Sequence, residues 1–311
     1  MNAAGCSVGV DAGGTTTRVV AFDAAGNQLD EAVSATPPGA DACLANIAGE
    51  VERLTAGRGP VHHVGVGLPG RVTLAGEVSL ALNVGIDEPV DVAAVLRDRL
   101  GVPVVVENDV NAAAVAALAA IGTGTSLTLL SIGTGFAAGT IVDGAILRGA
   151  TGIAGEIGHV PIPGESDPCV CGQVGCIEAV VSGRALGEAA AGLGLGDNPT
   201  VVDLWDAARA GEPGAVALRR RAITALAFAA QLAVLMLDVE HVVIGGGVSV
   251  LGARLVDPIR ADLAGREAHS PWLAAIAPAQ RVRLAPADGH LGAVGADLAA
   301  RARLGGAAWK S

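Results

Sequence analysis

Apolar residues alternate with small or polar ones over Cys6–Val10 and again over Arg18–Phe22, with the run Asp11-Ala-Gly-Gly-Thr15-Thr16-Thr17 between them. Period-two alternation interrupted by glycine predicts two strands joined by a hairpin turn. Gln28–Ser34 reads as a third strand. The spacing over Asp41–Thr55 predicts an amphipathic helix, and His63–Leu68 a strand closed by Pro69-Gly70. Ser79–Pro89 reads as a loop in which Asn83 is the one amide. Asp91–Leu100 reads as a helix, and the valine-rich run Val102–Val106 suits a buried parallel strand. Strands alternating with helices in this way predict an α/β lobe.

The motif recurs in the second half. Ser126–Ile132 is strand-like, Gly133-Thr134-Gly135 forms a tip, and Ala138–Val142 returns. Two strand–Gly/Thr tip–strand elements in one chain predict a duplicated core. Helices follow over Ser182–Ala190, Thr200–Ala210 and Ala215–Leu237, then a strand His241–Ile244 running into Gly245-Gly246-Gly247. A helix over Leu251–Ala264, a short strand Gln280–Leu284 and a terminal helix Gly289–Arg303 complete the pattern. The expected division is a smaller lobe of residues 1–120 plus 290–311 and a larger lobe of residues 121–289.

Composition narrows the class. The chain has 311 residues, 51% of them hydrophobic, yet aromatics are 2% and tyrosine is absent, so alanine, valine and leucine must fill the core. A net charge of −11 argues against nucleic acid or an anionic membrane surface as partner. Mean hydropathy is +0.52, which raises the question of a membrane span. The longest apolar candidate, Ala222–Leu237, carries Thr224 and Gln231 and falls short of the roughly 20 residues a bilayer needs. A soluble protein is expected. Five cysteines and a start unlike a signal peptide fit a reducing cytoplasm.

Candidate chemistry lies at the turns. A glycine- and hydroxyl-rich hairpin tip offers backbone N–H groups and hydroxyls to a phosphate. Gly13, Gly14, Thr15 and Thr16 fit that role, as do Gly133, Thr134 and Gly135, and Asp11 at the first mouth could hold Mg²⁺. The buried strand Val102–Val106 ends in Glu107-Asn108-Asp109, and ligands of open α/β sheets sit at the carboxyl ends of strands. Asp109 is therefore a candidate catalytic acid that could also cap the next helix. The glycines around Gly246 could let a flat nucleoside ring approach the backbone.

The segment 149–178 has a different character. Cys169, Cys171 and Cys176 fall within eight positions, with His159 ten residues before the first. Cys₃His is a common structural zinc set, and four protein ligands leave no position for a reacting water. Glu156 and Glu178 flank this set, and ionised carboxylates accept hydrogen bonds from sugar hydroxyls. A metal that fixes a sugar-binding loop is expected.

Taken together, VDAGGTTTRV, ENDVNAAAVAA, IGTGFAAGTIVDG, GEIGH, CVCGQVGCIE, VIGGGVS and DGHLGAVGA resemble the ROK-family sugar kinases, in the same order along the chain. The resemblance implies a two-lobed actin-like ATPase fold, a duplicated ribonuclease H-like α/β core with a zinc knuckle in the larger lobe. It implies transfer of a phosphoryl group from Mg²⁺-bound ATP to the 6-hydroxyl of a hexose, glucose first, with N-acetylhexosamines or cyclitols as alternative acceptors. Asp109 would be the base. Asn83, Asn108, Glu156, His159 and Glu178 would hold the sugar, His159, Cys169, Cys171 and Cys176 the zinc, and Gly246 the nucleoside. Family members are often dimers or tetramers, so a homo-oligomer is expected. The family also includes sugar-responsive repressors, whose DNA-binding segment precedes the first phosphate loop; only ten residues stand before Asp11 here. The tryptophan often found near the asparagine of the sugar loop is missing from LNVGIDEP.

Overall fold

The computed structural model describes residues 5–286 and 290–305. It divides into two units, Met1–Thr123 with Asp143–Ala154 and Pro286–Ser311, and Gly124–Val142 with Gly155–Ala285. The expected boundaries at 120/121 and 289/290 lie within a few residues of this division, which also moves one internal segment. Residues 143–154 group with the first unit, where Arg148 reaches Glu107 with Nε 3.1 Å from Oε2.

In the first unit the strand Cys6–Ala12 lies at the centre of a five-stranded sheet. Thr16–Phe22 runs antiparallel beside it and Gln28–Ala35 antiparallel beyond; on the other side Val61–Leu68 and Val104–Asn108 are parallel. One face is apolar through Val8, Val10, Val64, Val66 and Leu68, and packs with Cys43, Leu44, Ile47 and Val51 of the helix Ala40–Thr55. Those helical positions form one stripe, which is why the segment folds as an amphipathic helix. Each fully buried aliphatic side chain there stabilises by roughly 1.5–3 kcal/mol. The other face is held differently. A side chain on Gly9 would collide with the carbonyl of Ala293, one on Gly65 with that of Ala296, and one on Gly295 with that of Ala112. The helix Leu291–Gly305 thus lies almost on the sheet backbone and against the helix Asp109–Ile121. Its expected first residue, Gly289, lies outside the described residues.

A buried polar cluster locks this helix. Asp297, 2% exposed, bonds His63 Nε2 at 2.9 Å and Arg301 Nε at 2.6 Å. Burial pushes the Asp297 carboxyl up, but hydrogen bonds from His63, Ser7 and Arg301 outweigh it and hold the group below its ordinary value. The expected loop Ser79–Pro89 is a loop that joins two strands of a small sheet. Arg71–Val72, Glu77–Ser79 and Val90–Asp91 form a small antiparallel sheet, with a 3₁₀ turn at Leu82–Val84.

The second unit repeats the arrangement. Leu127–Ile132 pairs antiparallel with Phe136–Val142 and, on its other side, parallel with His241–Gly245, which pairs parallel with Val282–Leu284. This is the duplication the two hairpins predict. The helix Pro213–Leu237 is 25 residues, longer than its apolar stretch alone, and is long and apolar enough to cross a membrane. It includes Arg219, Arg220 and Arg221, and its buried residues, among them Ala222, Leu226, Ala230 and Val234, belong to the core of this unit. Two short helices, Pro271–Ile276 and Pro278–Arg281, escape the sequence pattern because each is shorter than two turns.

Candidate active site

Both strands of the first hairpin extend into its tip, leaving Gly13, Gly14 and Thr15 between Ala12 and Thr16. Gly13 N donates to Thr16 O at 3.0 Å, and Gly14, Thr15 and Thr16 are exposed. A Cβ on Gly14 would stand 2.9 Å from the Cβ and the carbonyl oxygen of Asn83. Asn83 itself is exposed, so the predicted loop amide does lie beside the tip. Asp11, in register with Arg18, sits against the start of the terminal helix, where a side chain on Gly292 would collide with its carboxylate. Burial and the charge of Asp109 lift the Asp11 carboxyl to about 6, against the pull of Arg18. Arg18 is held in turn by Glu31 and by His290 Nδ1 at 2.9 Å.

At the end of the strand Val104–Asn108, the helix cap falls to Asn108 rather than to Asp109. Asn108 Oδ1 accepts from Val110 N at 3.0 Å and Asn111 N at 3.1 Å, and its Nδ2 donates to Gly70 O at 3.1 Å. One amide hydrogen remains on Asn108 for a ligand. Asp109 becomes the first residue of the helix, its Oδ1 accepting from Val110 N at 2.9 Å, where the helix dipole favours a carboxylate. Glu107 is buried, accepts from Asn108 N at 3.0 Å and Asn111 Nδ2 at 3.1 Å, and pairs with Arg148. The run Glu-Asn-Asp-x-Asn is therefore a network that fixes where this helix begins. Arg148, 41 residues away in sequence, carries no local signal of its part in it.

In the second unit Gly133 N donates to Gly135 O at 3.0 Å, and Thr134 is exposed. The GEIGH segment lies flat on the returning strand: side chains on Gly155 and Gly158 would collide with the carbonyls of Ala138 and Phe136, and Ala138 N donates to Gly155 O at 2.8 Å. The two glycines allow that approach, and the intervening Glu156 is left exposed. Glu178 is buried, and its Oε2 accepts from Phe136 N at 2.8 Å. Its Oε1 lies 3.9 Å from Arg184 Nη2. Gly246 has φ 78° and packs against the backbone of Ile132, whereas a side chain on Gly247 would meet open space. Close packing accounts for Gly246, and Gly247 is the glycine of this run with room beside it. A run of three glycines hides that distinction in the sequence.

The cysteine segment brings all four predicted ligands together. The ligand atoms of His159, Cys169, Cys171 and Cys176 lie within 4.8 Å of one another. Zn–S and Zn–N bonds of about 2.3 and 2.0 Å in a tetrahedron require S···S and S···N edges of about 3.8 and 3.5 Å. Cys171 Sγ to Cys176 Sγ and Cys169 Sγ to His159 Nδ1 are each 3.7 Å. The donor set therefore fits zinc. Hydrogen bonds from Gln173 pull the Cys171 thiol down to about 6, while burial and the neighbouring sulfurs push Cys176 up to about 12. A bound cation would drive off the remaining thiol protons. His159 Nε2 faces Glu156 Oε2 at 3.8 Å, so the nitrogen away from the sulfurs is turned toward a predicted sugar carboxylate. Arg221, on the long helix, pairs with both Glu165 and Asp167 and ties the segment down, an anchor that no spacing revealed.

The ROK family profile matches residues 7–302. A glucokinase of Halalkalibacterium halodurans is 32% identical over 93% of this chain and 92% of its own length. Among solved structures, a ROK family glucokinase from Streptomyces griseus in complex with glucose and AMPPNP has a TM-score of 0.77 at 34% identity, covering 96% of this chain and 99% of that one. A ROK hexokinase from Thermus thermophilus has a TM-score of 0.79 at 29% identity, covering 97% and 99%. The profile, the relatives and the architecture agree over nearly the whole length: the chain belongs to the ROK family.

Proposed function

We propose that the protein is a sugar kinase that transfers the γ-phosphoryl group of ATP to the 6-hydroxyl of a hexose, glucose foremost. The observation that carries this reading is the placement of Asp109. It stands at the carboxyl end of a parallel strand, in the first turn of the helix that Asn108 caps, and its charge is felt by Asp11 at the mouth of the first hairpin in the same unit. The likeness to a glucokinase that binds glucose and AMPPNP supports both the acceptor and the donor.

Phosphoryl transfer is mostly positioning and charge neutralisation. In the first unit the N–H groups of Gly13 and Gly14 and the hydroxyls of Thr15 and Thr16 would face phosphate oxygens, and Asp11 would hold Mg²⁺, which neutralises phosphate charge when bound. Asp109 orients the attacking hydroxyl and takes its proton as the oxygen bonds to phosphorus and the bond to ADP breaks. In the second unit Gly133, Thr134 and Gly135 would serve the phosphates, and Gly246 with Gly247 the nucleoside. Asn83, Asn108, Glu156, His159 and Glu178 are the proposed sugar partners. His159, Cys169, Cys171 and Cys176 would hold a zinc ion that orders the loop and takes no part in the chemistry. With Nδ1 on the metal, His159 Nε2 can only donate, which suits a sugar oxygen.

A coupled ADP-release assay over hexoses, N-acetylhexosamines and cyclitols tests the reading. General-base assistance contributes about 10²–10⁴ in rate. Asp109→Asn is therefore expected to lose at least about a hundredfold in kcat with a much smaller change in sugar affinity. Near-normal turnover in that variant would remove Asp109 from the chemistry.

A further inference from the structure

Glu178 is placed by its motif among the sugar partners, yet its strongest contact points elsewhere. Its buried Oε2 accepts from Phe136 N at 2.8 Å, and Phe136 is the first strand residue after the Gly133-Thr134-Gly135 tip. A Cβ on Gly135 would lie 2.7 Å from the same oxygen, so the tip is folded directly onto the carboxylate. The chain just beyond Glu178 reinforces this: Gly183 N donates to Gly133 O at 2.8 Å. Glu178 stands in the first turn of the short helix Ile177–Val181, whose N-cap is Cys176, a member of the proposed zinc set. Gly158 of the GEIGH segment packs on the carbonyl of the same residue, Phe136.

We infer that Glu178 is a positioning residue for the second phosphate tip, joining the sugar-binding segment to the nucleotide-binding loop through the Phe136 amide. The inference rests on the kinase reading for the identity of the nucleotide, but the contact itself does not. An ionised acceptor on a buried backbone N–H is stronger than a neutral one, and removing it leaves that N–H unsatisfied. The tip then loses its fixed arrangement before any sugar arrives. A residue that served the sugar alone would leave the sugar-free nucleotide site untouched.

The test measures binding of Mg²⁺–AMPPNP by calorimetry with no sugar present. Glu178→Ala is expected to weaken nucleotide affinity about tenfold, consistent with loss of one charge-assisted hydrogen bond. Glu178→Gln, whose amide oxygen can still accept from Phe136 N, is expected to stay within about threefold of the parent protein. Amide hydrogen exchange across residues 133–137 supplies a readout that needs no ligand: exchange at Phe136 should accelerate in the alanine variant and not in the glutamine variant. If Glu178→Ala folds poorly, Glu178→Asp, shorter by one methylene, replaces it in both measurements with the same expectation. Unchanged sugar-free nucleotide affinity together with unchanged Phe136 exchange overturns the inference. A parent protein that binds no nucleotide, but whose Phe136 amide is released in the alanine variant, overturns the kinase reading and leaves the positioning role standing.

Discussion

Replacing Asn108 by alanine should unsettle the helix that carries Asp109, by an amount that can be worked from three hydrogen bonds. Two end on Oδ1 and form the cap, and the third runs from Nδ2 to Gly70 O. Loss of a side-chain N-cap costs about 1 kcal/mol. Loss of the Gly70 bond adds about 1 kcal/mol, giving about 2 kcal/mol in all. For a domain of 150–250 residues this lowers Tm by about 4–8 °C. Asn108→Ser keeps a capping oxygen and loses only the longer reach to Gly70, so it should cost about half as much. The two variants should also separate in turnover. With the cap vacant, Val110 N keeps only Asp109 Oδ1 and Asn111 N loses its acceptor, so the first turn that carries the proposed base Asp109 is less firmly held. Thermal and urea denaturation, read alongside kcat in the coupled assay, check both halves. Equal stability of the alanine and serine variants, or a loss below about 0.5 kcal/mol for alanine, would refute the assignment of the cap.

Asp297 sets a pH dependence for the first unit. Its carboxyl is held below the ordinary value in the folded state, so its contribution is fully present above the unfolded aspartate value of about 3.9 and is lost as pH falls through the lower folded value. Urea midpoints between pH 3 and 7 should fall at the acid end for the parent protein and fall less steeply for Asp297→Asn; identical slopes would count against the cluster. For the cysteine segment, metal analysis should find about one zinc per chain. Chelation or Cys176→Ser should weaken sugar binding through loss of loop order, whereas fully active protein without metal would contradict a zinc-ordered loop.

Much of the fold was legible because its strands alternate and its hairpins repeat. Gly13 and Gly133 announce matching turns, and Val104–Asn108 ends where an acid follows. The cluster of His159, Cys169, Cys171 and Cys176 could be anticipated because four residues of metal-ligating chemistry lie close in sequence. Where neighbouring residues have similar capping chemistry, the sequence is ambiguous: Asn108 and Asp109 are both good caps, and only the backbone angles decide. Contacts between distant residues were not legible at all. Arg148 with Glu107, Arg221 with Glu165, and Glu178 with the Phe136 amide each join segments dozens of residues apart, and burial gives none of them a periodic signature. The grouping of residues 143–154 with the first unit has no local sequence signal for the same reason.

The bare backbone face around Gly9 and Gly65 has a consequence for how the protein is made. At Gly9 and Gly65 that face has no side chain to cover its backbone, and its cover is the segment Leu291–Gly305, which leaves the ribosome after every other described element. The segments of the second unit, by contrast, are all synthesised by Ala285. During translation the half begun first must therefore wait for its last helix, while the half begun second can complete its own sheet, so the order of maturation is the reverse of the order of synthesis.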